Sequence, residues 1–153
     1  MTVHVLDTGA VYLLHDRGYG AAARRLRATL EGAEPGHAFT PEIVLAEAEQ
    51  ARALARGRLD DILALAAVPR QVAPRMVAEY AAQALRALKR GTCGECGGLL
   101  RPTLVDAWLV SFARLYALDG DDVVIHTSDV RDLEALRDQL GLDSTQVEIR
   151  SCS

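Results

Sequence analysis

Four acidic residues, Asp7, Glu47, Asp106 and Asp129, stand where a carboxylate needs a reason to be. Val3-His4-Val5-Leu6 is a short β-branched run that ends at Asp7-Thr8, and Val123-Val124-Ile125-His126-Thr127, the best strand in the chain, ends at Ser128-Asp129. Either aspartate alone reads equally well as a helix cap, since Asp and Ser favour that position. Ligands of open parallel sheets bind beyond the carboxyl ends of the strands, however, and two carboxylates beside hydroxyls at equivalent strand ends point to a shared site. Glu47 falls within the apolar stripe Ile43, Val44, Ala51 and Leu54 of a helix, where a charge is expensive unless it is paired or bound to a cation. A salt bridge to one of the many arginines is the alternative. Asp106 lies near the start of the almost wholly apolar helix Thr103-Leu104-Val105-Asp106-Ala107-Trp108-Leu109-Val110. There either a cation or the helix dipole would stabilise it.

Four carboxylates gathered on one edge repel one another, and some would remain protonated at neutral pH without a counter-charge. A hard divalent ion, magnesium or manganese, suits an all-oxygen donor set. No His/Cys set accompanies these acids, so zinc fits poorly. The chemistry such a centre supports is attack by activated water on a phosphodiester.

The elements that must position these acids alternate. Strands are expected at Val3–Leu6, His37–Phe39, Val123–Thr127 and Val147–Ile149, with a possible extended stretch at Gln71–Ala73. Helices are expected over Ala10–His15, Tyr19–Leu30, Leu59–Ala66, Pro74–Lys89, Pro102–Ala117 and from Ser128-Asp129 to about Leu140, closed by Gly141. A further helix should open with Thr40 as hydroxyl cap and Pro41 as its first residue, run to about Arg56 and stop at Gly57. Helices alternating with short buried strands predict an α/β fold with a parallel sheet covered on both faces.

The length of 153 residues suits a single domain spanning residues 1–153, with a Gly/Cys-rich insert near 91–101. At 5% aromatic residues, Leu, Val, Ile and Ala must fill the core. The balance of 17 Lys+Arg against 21 Asp+Glu, a formal charge of -4, is no whole-chain nucleic-acid signature. Any positive surface for RNA must therefore be local. Arg24, Arg25 and Arg27 share one helix, Arg52, Arg56 and Arg58 follow another, and Arg86, Lys89, Arg90 and Arg101 flank the insert. These residues serve equally as phosphate contacts or as solvated helix faces. The apolar run at the start is too short for a signal peptide or membrane span, and three cysteines do not make a disulfide scaffold. The expected location is the cytoplasm.

Four segments, in order, resemble the PIN-domain nucleases, and most closely the VapC toxins of type II toxin–antitoxin pairs. They are Val5-Leu6-Asp7-Thr8-Gly9-Ala10, Val44-Leu45-Ala46-Glu47, Thr103 to Val110 around Asp106, and Val124-Ile125-His126-Thr127-Ser128-Asp129-Val130-Arg131-Asp132-Leu133. The resemblance covers residue 3 to about 140. It implies a three-layer α/β/α sandwich with a mostly parallel central sheet and a magnesium-dependent endoribonuclease. It further implies Asp7, Glu47 and Asp106 as central metal ligands, Asp129 as the acid that completes the site, and Thr8 and Ser128 as supporting or substrate-contacting hydroxyls. By the same pattern Asp132 is structural. The implied partners are an RNA substrate, a small antitoxin and a second copy of the chain. Gly9 stands where that family commonly has serine, and the insert Cys93–Arg101 precedes the third segment.

Two rival classes remain. A PIN-like fold kept only for partner binding would need none of the four acids. Asp7-Thr8-Gly9 is also the Asp-Thr-Gly of aspartic proteases, but that chemistry needs two such aspartates on a β-rich frame, and the chain has one. Cys93-Gly94-Glu95-Cys96 is half of a zinc knuckle with no second half, and reads as a loop with two thiols. His4, His15, His37 and His126 are scattered, and His126 reads as a strand residue, not a base.

Overall fold

Two central strands hold the molecule in register. In the computed structural model, which describes residues 1–16, 20–70, 74–88 and 100–153, β1 (Thr2–Leu6) pairs in parallel with β3 (Asp122–Thr127), from Thr2 opposite Asp122 to Leu6 opposite His126. On the outer sides lie β2 (Ala38–Phe39), beside β1, and β4 (Val147–Ser151), beside β3. The sheet order is therefore β2-β1-β3-β4, and every pairing is parallel. Val3, Val5, Leu6, Val123 and Ile125 are all buried. A strand covered on both faces needs such a continuous apolar run, and β-branched side chains fit its pleat.

Helices close both faces. α1 (Thr8–Asp16), α2 (Ala21–Glu31) and α4 (Arg56–Leu65) pack on one another. α5 (Pro74–Leu88), α6 (Leu104–Leu118) and α7 (Val130–Gln139) form the second layer. α3 (Glu42–Ala51) touches both α1 and α6. The result is a three-layer α/β/α sandwich, as expected. The apolar helix around Asp106 is α6, whose Phe112 stacks on Trp108 at 5.2 Å and meets Phe39 and Tyr116 edge-on. The chain leaves β1 towards β2, then returns to the other side of β1 to enter β3. The gap between the carboxyl ends of β1 and β3 is thus the topological switch point, the place where α/β sheets hold ligands.

Several boundaries differ from expectation for tertiary reasons. Thr40 does not cap α3. It is fully buried; its Oγ1 donates to the Ala66 carbonyl at 2.8 Å and its N–H to the Ala67 carbonyl at 2.9 Å. Pro41, in extended conformation, precedes the helix instead. α3 also ends early, at Ala51, because Arg52 turns extended, lies over the Tyr12 ring at 4.2 Å and pairs with Asp16. Ala51, expected in the buried stripe, is exposed; Val44 and Ala48 are the buried residues of this helix. Gly57 stops nothing and lies inside α4. α6 opens one residue after Thr103, not at Pro102, since the Thr103 hydroxyl makes the better cap. Gly141 closes α7 at φ 74°, a left-handed conformation that glycine adopts without strain. Tyr19, Gln71–Ala73, Lys89, Arg90 and the Cys93–Cys96 pair lie outside the described residues.

Thr40→Val tests the role of the Thr40 hydroxyl. The side chain keeps its shape but leaves the Ala66 carbonyl without its donor, which should cost about 1–3 kcal/mol in denaturant unfolding. A cost near zero would mean that this tie does not hold the β2 end.

Candidate active site

Register brings the first two acids together. Because Leu6 sits opposite His126, the next residues of each strand, Asp7 and Thr127, leave the sheet at the same level. The Asp7 N–H donates to the His126 carbonyl at 3.0 Å. Thr127, fully buried, donates its hydroxyl to Asp7 Oδ2 at 2.6 Å and accepts the Asp129 N–H at 2.9 Å. On the other side, the Thr8 N–H donates to Asp7 Oδ1 at 2.7 Å, and the Thr8 hydroxyl donates to Glu47 Oε2. Carboxylates and threonines thus alternate across the switch point in the order Glu47, Thr8, Asp7, Thr127, and the backbone N–H of Asp129 joins the end of the row.

Asp106 reaches the same place from α6. It is the third residue of that helix and closes a capping box with Thr103: the Thr103 N–H donates to Asp106 Oδ2 at 2.7 Å, and the Asp106 N–H to Thr103 Oγ1 at 3.1 Å. The dipole and free N–H groups at this helix start favour an anion. Burial still dominates and pushes the Asp106 carboxyl up to about 6; the Thr103 hydrogen bonds oppose the shift, and the charges of Asp7 and Asp129 add to it. Asp7 is raised too, first by burial and then by Glu47 and Asp129, against the hydrogen bonds from Thr127 and Thr8. The four acids therefore feel one another's charge.

They differ in exposure. Asp7 and Asp106 are buried, Glu47 is half-buried and Asp129 is exposed. Among the described residues, no three His, Cys, Asp or Glu side chains form a ready-made metal-binding group. The threonine hydroxyls stand between the carboxylates. The donor set fits a hard divalent ion in kind, being all oxygen, and two of its members, Asp7 and Asp106, are buried acids with no ion-pair partner among the described residues.

Sequence reasoning missed Thr127, which hydrogen-bonds one aspartate and positions the other. Its signal was present: a hydroxyl in the last position of the best strand, beside Ser128. Asp132 is buried, accepts the Arg101 N–H at 3.4 Å and has its carboxyl raised by burial first and then by Asp129. His4 and His126 are no longer scattered. Both are buried on one face of the sheet, with His4 Nδ1 3.1 Å from His126 Nε2 and the rings stacked. Burial lowers both, His126 to about 4, so the pair is neutral near pH 7, one ring donating and the other accepting.

The glycine at position 9 has a steric reason. A Cβ at this position would stand 2.1 Å from Ser128 Oγ and 2.8 Å from Ser128 Cβ. The turn after β1 and the turn after β3 touch here, and Ser128 fills the space a side chain at position 9 would need. No protein-family model and no curated protein matches this chain.

Two outcomes follow. Gly9→Ala should lose about 1–3 kcal/mol by overpacking, and Ser128→Gly in the same chain should restore most of it, leaving only the 3.0 Å approach to the Ser128 backbone nitrogen. Equal losses in the single and double variants would place the clash elsewhere. For Asp106 the sign is set by a folded value above the unfolded one. From 3.8 to about 6 the unfolded chain has released this proton while the folded chain still holds it, so this group's contribution to stability falls as pH rises through that interval. In chelator-treated protein, Asp106→Asn should therefore be more stable than the parent at neutral pH, by up to about 3 kcal/mol, and lose that advantage below about pH 4. Thermal unfolding of both proteins across pH measures the difference.

Proposed function

We propose that this chain is a metal-dependent endoribonuclease of the PIN-domain kind, acting in the cytoplasm as the toxin of a type II toxin–antitoxin pair. The observation that carries the reading is the alternation of Glu47, Thr8, Asp7 and Thr127 across the switch point of a parallel sheet, with the Asp129 N–H at the end of the row and Asp106 electrostatically coupled to it. The four ordered sequence segments supply the family; the fold class agrees with it.

Asp7, Glu47, Asp106 and Asp129 would hold magnesium or manganese, and the bound ion would supply Lewis acidity towards a phosphodiester and lower the pKa of a water. The protein's part is orientation. Thr127 and the Thr8 N–H fix both oxygens of Asp7. The capping box fixes one oxygen of Asp106. The Thr8 hydroxyl holds Glu47 towards Asp7. Burial of Asp7 and Asp106 strengthens their pull on a cation, since their charges are poorly screened. The partners that accompany this reading are a second copy of the chain and a small antitoxin, whose arginine would pair well with these carboxylates.

The second reading, a non-catalytic PIN-like module, draws on a specific observation: Asp7, Glu47 and Asp106 are already engaged by threonine and backbone donors, and among the described residues no three acids converge into a ready-made group. The aspartic-protease reading needs a β-rich frame, and the Asp7-Thr8-Gly9 turn joins a strand to a helix in a parallel α/β sheet.

The two readings separate in one assay. The purified chain, incubated with RNA and magnesium, should cleave it, and a chelator should stop the reaction. Asp7→Asn, Glu47→Gln and Asp106→Asn should each reduce cleavage by on the order of 100-fold or more while the protein stays folded. Cleavage unchanged by all three substitutions, or by the chelator, would reject the metal-nuclease reading. Absence of any cleavage by the folded parent would favour the binding module.

A further inference from the structure

Two clefts lie near the acid site, and none of the four acids lines either of them. The larger, about 400 Å³, combines small walls at Gly9, Gly20 and Ala22 with Ser128 and the larger side chains of Tyr12 and Asp16. The smaller, about 210 Å³, lies between α2 and the end of β4, and its walls include Arg25, Thr29, His126, Arg150 and Ser151. The two share Ala22, Cys152 and Ser153. Gly9 follows Thr8 in the chain and Ser128 follows Thr127, so the larger cleft begins where the carboxylate–threonine row ends. The larger cleft thus starts one residue from Thr8 and Thr127 and meets, along its shared wall, the smaller cleft with its two arginines.

From the acids to the smaller cleft the charge changes sign. Among the described residues, no aspartate or glutamate lines the smaller cleft. Arg150 lies opposite His126 in the sheet and forks its Nε and Nη2 onto Glu148 at 2.7 and 2.9 Å. That pair fixes the guanidinium plane and leaves Nη1 outside it. Arg25 is exposed on α2 and has no ion-pair partner among the described residues. His126 contributes a neutral wall. The other arginine-rich hollow, at Arg24, Arg27 and Arg58, differs in kind. Asp16 and Asp61 line it too, and Arg58 already donates to the His15 carbonyl at 2.6 Å. Those acids compensate its charge, as Glu148 compensates part of that of Arg150, whereas Arg25 has no ion-pair partner among the described residues and offers its charge to an anion from solution.

We propose that the smaller cleft is a phosphate subsite for a single-stranded ribonucleotide chain. Arg25 and Arg150 hold a backbone phosphate flanking the scissile bond, with Thr29 and Ser151 beside them, and the larger cleft takes the nucleoside between that phosphate and the acids. The proposal rests on the nuclease reading and adds where the substrate lies. A volume of about 400 Å³ is within the range of roughly 300–1,000 Å³ found for small-molecule pockets. The small walls at Gly9, Gly20, Ala21 and Ala22 leave room for a ribose and base beside the Tyr12 ring. Guanidinium groups suit phosphate because their planar fork donates to two oxygens at once.

The test uses the full chain carrying Asp7→Asn, so that RNA is bound without being cut, and a fluorescein-labelled single-stranded oligoribonucleotide titrated at several salt concentrations. Arg25→Ala and Arg150→Ala should each weaken binding by about 3–10-fold and reduce the slope of log affinity against log salt by about one, the signature of a lost phosphate contact. Arg25→Lys should keep the slope. Arg75→Ala, on the exposed face of α5 and paired with Glu79, should change neither. If the Asp7→Asn chain binds RNA and both arginine variants keep its affinity and slope, the subsite is wrong and the nuclease reading stands. Equal loss in Arg75→Ala would also overturn the subsite, by showing general attraction. A competing duplex of the same length that displaces the strand equally well would overturn its single-stranded character. If the Asp7→Asn chain binds no RNA and the parent cleaves none, the nuclease reading fails and takes the subsite with it.

Discussion

The hydroxyl of Thr127 is the point on which the site depends. It has one proton to give and gives it to Asp7; its lone pair takes the Asp129 N–H. The second bond is local, but the bond to Asp7 exists only because Leu6 lies opposite His126, which puts Asp7 beside Thr127. A slip of one residue along either strand would turn Thr127 to the other face of the sheet and part the two aspartates. The apolar side chains of Val3, Val5, Val123 and Ile125 hold that register, since a slip would move them out of the core. Packing far below the site thus determines the spacing of charges at its top.

The same place shows two opposed requirements. Gathering carboxylates in a buried corner raises the energy of their charged forms, as the upward shifts of Asp7 and Asp106 record. The protein answers with neutral donors to Asp7, Glu47 and Asp106: two threonine hydroxyls and the backbone N–H groups of Thr8 and Thr103. These donors hold each acid in one orientation without cancelling its charge. Glu47 differs from the others because it comes from α3, the helix that touches both layers. Its placement relies on Tyr12, whose hydroxyl donates to the Ala48 carbonyl at 2.8 Å, and on Arg52 over the Tyr12 ring.

Much of this was legible in the residues. The strand ends at Asp7 and Asp129 were readable because buried parallel strands are continuous apolar runs and the acids interrupt them. Asp106 was readable as the lone charge in the apolar first turns of α6. Where reading failed, a long-range partner had intervened. Thr40 looks like a cap in sequence, yet the backbone at Ala66 and Ala67 claims it. Gly57 looks like a stop, yet Arg52, drawn to Tyr12 and Asp16, ends the helix five residues earlier. The pairing of His4 with His126 joins residues 122 positions apart, and strand order, which local patterns do not carry, decides it.

The buried histidine pair and the buried acids also act on the molecule as a whole. Asp7 and Asp106 hold their protons to higher pH in the folded chain than when unfolded, while His4 and His126 refuse theirs until lower pH. For Asp106 the interval runs from 3.8 to about 6, and for His126 from about 4 to 6.5. Across this shared interval folding takes up a proton at one group and expels one at the other, so their slopes of stability against pH oppose each other. Placed on either side of the central strand pair, they let the chain fold in mildly acid or neutral water with little net exchange of protons between these two groups and the solvent.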